Sequence, residues 1–184
     1  MARTPSNMLP LGIKAPNFSL PDTITDKIVT LESAKGEKAT VIMFICNHCP
    51  FVIHVNEALV RIANHYQEKG ITFIAISSND VINYPQDHPD LMKTHAIDNN
   101  YPFPYLYDET QEVAKSYDAA CTPDFYVFDA ELLLAYRGQL DNSRPGNELP
   151  VTGIDLTNAL DAIIEKKVIN ADQKPSIGCN IKWK

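Results

Sequence analysis

The sequence predicts an α/β chain with a central mixed β-sheet flanked by helices. Three observations predict it. Residues 39–45 (Ala-Thr-Val-Ile-Met-Phe-Ile) and 71–77 (Ile-Thr-Phe-Ile-Ala-Ile-Ser) are apolar, β-branched runs of buried-strand type. Between them, Phe51, Val52, Val55, Leu59, Ile62, Ala63 and Tyr66 recur at helical spacing, so residues 39–77 form a βαβ unit with parallel strands. Further on, residues 124–129 and 132–137 read as an antiparallel hairpin joined around 129–131.

The remaining elements follow in order. Residues 1–16 are an extended, proline-punctuated lead-in, and 18–20 with 27–31 form a short N-terminal hairpin around Pro21-Asp22. The first long helix covers about 50–69 and closes with a cation and a glycine at Lys69-Gly70. Residues 78–88 are a polar loop, and Pro89 suits the first turn of a helix over about 89–98. A short extended piece at 104–107 and a short helix at 110–117 come next. After the 124–137 hairpin, 142–153 is a loop and 154–167 the last helix. The tail from 170 to 184 has little periodicity; it is expected to lie on or near a single domain spanning 1–184. Tyr101, Phe103, Tyr105 and Tyr107 alternate along an extended stretch, a pattern of core packing.

Composition narrows the function. A chain of 184 residues with 45% apolar side chains supplies one ordinary core. Sixteen basic against 23 acidic side chains leave a net charge of −7, which speaks against nucleic acid and anionic lipid as partners. No apolar run approaches a membrane span, and residues 1–10 lack the pattern of a secretory signal, so a cytoplasmic location is expected.

The chemistry concentrates in Cys46-Asn47-His48-Cys49-Pro50, at the junction of the first buried strand and the long helix. Two thiols in one turn at a helix N-terminus meet orphan N–H groups and the positive end of the helix dipole. Both favour thiolate, the form that attacks a disulfide or peroxide. His48 lies within reach of both sulfurs; it is either a charge that stabilises thiolate or a solvated turn residue. Asn47 and Pro50 are accessory candidates. Proline suits the first helical position, which makes Cys49 the N-cap and gives it as much help from the dipole as Cys46.

The dithiol half followed by a ββα half whose first strand succeeds Thr122-Pro123 resembles the thioredoxin fold over roughly residues 10–168. The front hairpin and the insert before Thr122 resemble the branch containing peroxiredoxins and membrane-anchored thiol reductases. Residues 44–50, 121–124 and 175–184 resemble the peroxiredoxin-like (AhpC/TSA-type) bacterial redoxins. The resemblance implies a cis-proline at Pro123, with Thr122 and Pro123 presenting backbone to an extended substrate. It also implies an exposed attacking Cys46 resolved by Cys49, or, on the peroxiredoxin pattern, a peroxidatic Cys49.

Departures weigh on both patterns. The peroxiredoxin threonine is replaced by Cys46, and the arginine position falls on or beside Pro123. The buried acid of thioredoxins falls at Thr40, and Ile45 stands where they have tryptophan. The expected activity is therefore thiol–disulfide exchange with a protein or small-molecule disulfide and a thiol electron donor, with no cofactor and no metal. The alternatives are a thiol-dependent peroxidase and, in another class, a copper or zinc module using Cys46, Cys49 and a histidine. Cys121 and Cys179 are either additional redox thiols or small buried hydrophobes. Arg137 and Arg144, flanking Asp141, read as solvated charge pairs.

Overall fold

The computed structural model describes residues 3–184; residues 1 and 2 of the lead-in lie outside the described residues. Among the described residues ten strands and five helices follow one another as β1 (Arg3–Pro5), β2 (Ser19–Pro21), β3 (Ile28–Thr30), α1 (Leu31–Ala34), β4 (Ala39–Phe44), α2 (Pro50–Gln67), β5 (Ile71–Ser77), α3 (Pro89–Asp98), β6 (Tyr105–Tyr107), α4 (Glu112–Ser116), β7 (Cys121–Thr122), β8 (Asp124–Asp129), β9 (Leu134–Gly138), α5 (Ile154–Ile164) and β10 (Ile177–Asn180).

The central sheet has the order β6-β5-β4-β8-β9. Strands β4, β5 and β6 run parallel, while β8 is antiparallel to β4 and β9 to β8. This is the mixed sheet of a thioredoxin-like fold, as expected from the βαβ unit and the late hairpin. All six residues of β4 are buried, which explains why its sequence is continuously apolar rather than alternating.

The two faces divide its side chains. Val41 and Met43 join Phe73, Phe125 and Val127 beneath α2, α3 and α5. Ile42 and Phe44 join Ile74, Ile76, Tyr126 and Phe128 on the other side. Tyr101, Phe103, Tyr105 and Tyr107 are buried, as their alternation predicts.

Several elements differ from expectation. The front hairpin pairs Ser19–Pro21 with Ile28–Thr30, but Leu31 opens a short helix because Thr30 and Ser33 form a reciprocal capping box. A single 3-10 turn, Pro85–Asp87, interrupts the loop predicted over 78–88.

The largest departure joins the chain ends. The tail predicted without structure forms β10, which lies between β1 of the lead-in and β7 in a separate three-stranded sheet. Nothing in local periodicity signals pairing between segments more than 170 residues apart. Asp141 is also not solvated: it is buried and accepts N–H bonds from Ser143, Thr152 and Gly153. Arg144 donates to the carbonyls of Asp141 and Ser143 and to Gln139, and Arg137 to Leu9 and Gln173. Neither arginine makes the expected charge pair. Among the described residues no helix is long and apolar enough to cross a membrane.

Candidate redox site

Strand β4 ends at Phe44, and the turn 46–49 delivers the chain into α2. Cys49 is the N-cap, in extended conformation (φ −73°, ψ 119°), and Pro50 occupies the first turn. The Cys49 carbonyl accepts the N–H groups of Val52 and Ile53 at 2.9 and 3.0 Å, which locks the start of the helix. A proline placed here removes an N–H that has no intrahelical partner, so the sequence begins the helix at this point.

The turn is anchored by a residue that sequence reading missed. Asp87, fully buried in the loop after β5, accepts the Asn47 N–H at 2.9 Å, the Asn79 side-chain amide at 2.8 Å and His48 Nδ1 at 2.7 Å. Asn47 adds a bond to the Gln86 carbonyl and accepts the Tyr105 hydroxyl. Burial raises the Asp87 carboxyl, but the bonds from His48, Asn79 and Asn47 outweigh it and hold the carboxyl below its ordinary value. No pattern in Gln86-Asp87-His88-Pro89 distinguishes this acid from an ordinary turn residue.

His48 therefore directs Nδ1 to Asp87, with Cys46 Sγ farther off at 4.0 Å. Its ring stacks on Tyr84, with centroids 5.9 Å apart, and the Lys182 ammonium stands over Tyr84. The nearest role for His48 is to tie the turn to Asp87. The expected direct bond to a thiolate comes second. The possible ligand atoms of Cys46, His48 and Asp87 lie within 4.8 Å of one another, a spacing a metal ion also fits.

Both sulfurs are free thiols, and both are enclosed: Cys46 is 1% exposed and Cys49 0%. This corrects the expectation of an exposed Cys46. His48, whose side chain is 21% exposed, and Thr122 stand against the dithiol, 4.0 and 3.5 Å from the Cys46 sulfur.

The Thr122–Pro123 peptide is cis, as the resemblance implies. Thr122 touches both sulfurs: its hydroxyl lies 3.5 Å from Cys46 and its carbonyl oxygen 3.1 Å from Cys49.

The two thiols are hydrogen-bonded to each other and differ in character. Cys46 donates to Cys49, is buried, and sits in the negative field of Asp87; together these push its pKa well above the ordinary thiol value, against the Thr122 hydroxyl. Cys49 is lowered to about 5. The bond from Cys46 is the main cause, opposed by burial and supported by the Cys179 thiol, the Thr122 hydroxyl and the Cys179 N–H. The Thr122 carbonyl favours the protonated sulfur, but the four donors prevail. The thiolate is therefore assigned to Cys49, at the helix N-terminus; the Pro50 argument gave the two sulfurs equal help from the dipole, and the attacking Cys46 of the thioredoxin pattern is not the ionised one.

Cys179 belongs to the site, which its position in an aperiodic tail did not reveal. Burial and the bond to Cys49 push its thiol up to about 12. Cys121 is buried, with its thiol 3.8 Å from the Pro123 carbonyl, and burial and Asp124 raise it. Thr40, at the position of the thioredoxin acid, accepts the Gly36 N–H. A buried acid does lie nearby in Asp124, next to Pro123. It is on the opposite face of the sheet, bonded to Tyr126 and to its neighbour's N–H.

Comparison places this arrangement among known folds. The structure superposes on an uncharacterized conserved protein from Geobacillus kaustophilus with 60% identity and a TM-score of 0.98, covering 100% of this chain and 97% of that one. A putative thiol:disulfide interchange protein DsbE from Chlorobium tepidum is 17% identical, with a TM-score of 0.67 and coverage of 85% and 99%. Peroxidoxin BcpB from Mycobacterium tuberculosis is 16% identical, with a TM-score of 0.63 and coverage of 85% and 96%. At these identities the last two share the fold alone. No curated protein matches the chain. The family model for AhpC/TSA proteins matches residues 11–137, and the chain belongs to the AhpC/TSA family.

Proposed function

We propose that the protein is a thiol–disulfide oxidoreductase whose redox couple is Cys46 and Cys49. One observation carries this reading: two hydrogen-bonded thiols share one turn at the start of α2, beside the cis Thr122–Pro123 segment. Cys49 is the nucleophile. Its thiolate attacks a substrate disulfide, releases one substrate thiol, and forms a mixed disulfide that Cys46 then displaces. The products are a Cys46–Cys49 disulfide and a fully reduced substrate. A thiol donor returns the enzyme to the dithiol. The enclosed sulfurs favour a small disulfide, or an extended one admitted when the turn bearing His48 moves.

A second reading, a thiol peroxidase, is favoured by the same burial, because hydrogen peroxide needs little space and Cys49 is already thiolate. It predicts sulfenic acid on Cys49, condensed by Cys46 to the same disulfide.

The two are separated by comparing oxidation of the reduced protein by a small aromatic disulfide, by insulin and by hydrogen peroxide. Wild type, Cys46→Ser and Cys49→Ser are measured alike. The main reading expects the small disulfide to react fastest, and Cys49→Ser to lose at least 100-fold, as an ordinary serine hydroxyl is no nucleophile here. Equal disulfide rates in wild type and Cys49→Ser would remove the couple from the mechanism. Faster reaction with peroxide than with any disulfide would assign the peroxidase instead.

A further inference from the structure

The proposed cycle uses two thiols, yet a third touches its central sulfur. Strand β10 lies directly on the segment carrying the cis-proline. Cys179 is the register partner of Thr122, Ser176 Oγ donates to the Pro123 carbonyl at 2.6 Å, and the Ile181 N–H donates to Ala120.

Gly178 makes this closeness possible. A Cβ there would stand 1.9 Å from the Thr122 carbonyl oxygen, so any other residue would hold β10 away. With glycine the backbones close, and both the N–H and the thiol of Cys179 reach the Cys49 sulfur. Cys49 thus lies between two thiols, Cys46 from its own turn and Cys179 from the far end of the chain.

We propose that Cys179 is a second resolving thiol, which attacks Cys49 within the Cys46–Cys49 disulfide and moves the bond to Cys49–Cys179. The step rests on the reading of Cys46 and Cys49 as the redox couple. Cys179 gives up its proton as its sulfur bonds to Cys49. The Cys46–Cys49 bond breaks, its electron pair goes to Cys46, and Cys46 takes up a proton. One disulfide replaces another, so no further oxidant or reductant is consumed.

The environment suits the exchange. Burial is the first cause that holds Cys179 protonated, and its contact with reduced Cys49 is the second. The second disappears once Cys49 is in a disulfide, whereas the favourable field of Lys182 stays. Cys46 is the leaving sulfur; the Thr122 hydroxyl, 3.5 Å away, supports its departure, against burial and the field of Asp87, and Cys46 leaves with uptake of a proton. Oxidised protein is then an equilibrium of two disulfides sharing Cys49, and the second ties the start of α2 to the C-terminal strand.

The test maps disulfides in the full chain. Wild type and Cys46→Ala are equilibrated in a glutathione redox buffer, acid-quenched and alkylated, and the digested peptides are identified by mass. Wild type is expected to yield both the Cys46–Cys49 loop and a cross-linked peptide joining Cys49 to Cys179. Cys46→Ala is expected to give the Cys49–Cys179 link as its main intramolecular product. Gly178→Ala is expected to lower the yield of that link while the 46–49 loop still forms. Wild type that forms the 46–49 disulfide without any 49–179 link, and Cys46→Ala that carries only glutathione on Cys49, would overturn the proposal and leave the redox couple standing. Wild type that forms no 46–49 disulfide at all would overturn both.

Discussion

The carbonyl oxygen of Thr122 stands 3.1 Å from the Cys49 sulfur, while the hydroxyl of the same residue stands 3.5 Å from Cys46. One residue of a two-residue strand thus contacts both thiols; its hydroxyl favours thiolate on either, and the hydrogen bond from Cys46 is what tips ionisation to Cys49.

Removing those donors should move the titration of Cys49. In wild type the Cys49 pKa is about 5, so thiolate is present above that pH and its reactivity falls as pH drops through it. Cys46→Ala deletes the largest favourable donor and Thr122→Val a smaller one, so the acid limb should move upward in both, further for Cys46→Ala. Cys46→Ser keeps a donor and should move it less. The rate at neutral pH should change little in Thr122→Val, because most of Cys49 stays ionised there. Ultraviolet thiolate absorbance against pH checks the order, and an unmoved limb in Cys46→Ala would refute the assignment.

Asp87 should matter to stability in a defined pH window. Its carboxyl, held below its ordinary value, contributes stability that is present above the unfolded value of about 4 and lost as pH falls through the folded value. Asp87→Asn sets an amide against the Asn79 amide and the N–H groups of Asn47 and His48. A cost of about 1–3 kcal/mol is expected near neutrality, shrinking below about pH 4. Urea denaturation at several pH values measures this; a difference independent of pH would contradict it.

Asp124 should act in the opposite sense. Fully buried and with no cationic partner among the described residues, its carboxyl is raised well above the ordinary range, chiefly by burial. Such a group costs nothing below its unfolded value and penalises the fold increasingly as pH rises towards its folded value. The stability of Asp124→Asn relative to wild type is therefore expected to rise with pH from about 4 through neutrality. Melting temperatures across that range that keep a fixed offset would show that Asp124 is already ionised in the fold.

Gly178→Ala should loosen the C-terminal strand. The new methyl would meet the Thr122 carbonyl at 1.9 Å, so β10 must withdraw from β7. A loss of about 1–3 kcal/mol is expected, of the size found when a close-packed contact is overfilled. Cys49 should also titrate higher, because the Cys179 donors retreat with the strand. Chemical denaturation together with the thiolate titration reads both, and an unchanged pair of values would mean that β10 does not hold Cys179 against Cys49.

The central sheet was legible because its strands carry their own signals. Residues 39–45 and 71–77 are continuously apolar since β4 and β5 are buried on both faces, and α2 repeats apolar residues at helical spacing. The cis-proline was legible only through its resemblance to a known pattern. β1 and β10 were not legible. A short strand such as Ile177-Gly178-Cys179-Asn180 has too few residues to alternate, and its partners Arg3–Pro5 and Cys121–Thr122 lie far away in sequence.

By itself the sequence determined that two thiols share the turn between a buried strand and a helix, because neighbours along the chain suffice to place Cys46, Cys49 and Pro50. Only the tertiary structure decided which sulfur ionises, how far solvent is shut out, and what else touches them. Those properties depend on Thr122, Asp87 and Cys179, which β7, the loop after β5 and β10 bring to one point. A sulfur's ionisation follows the donors and charges around it in space, and chain order does not record them.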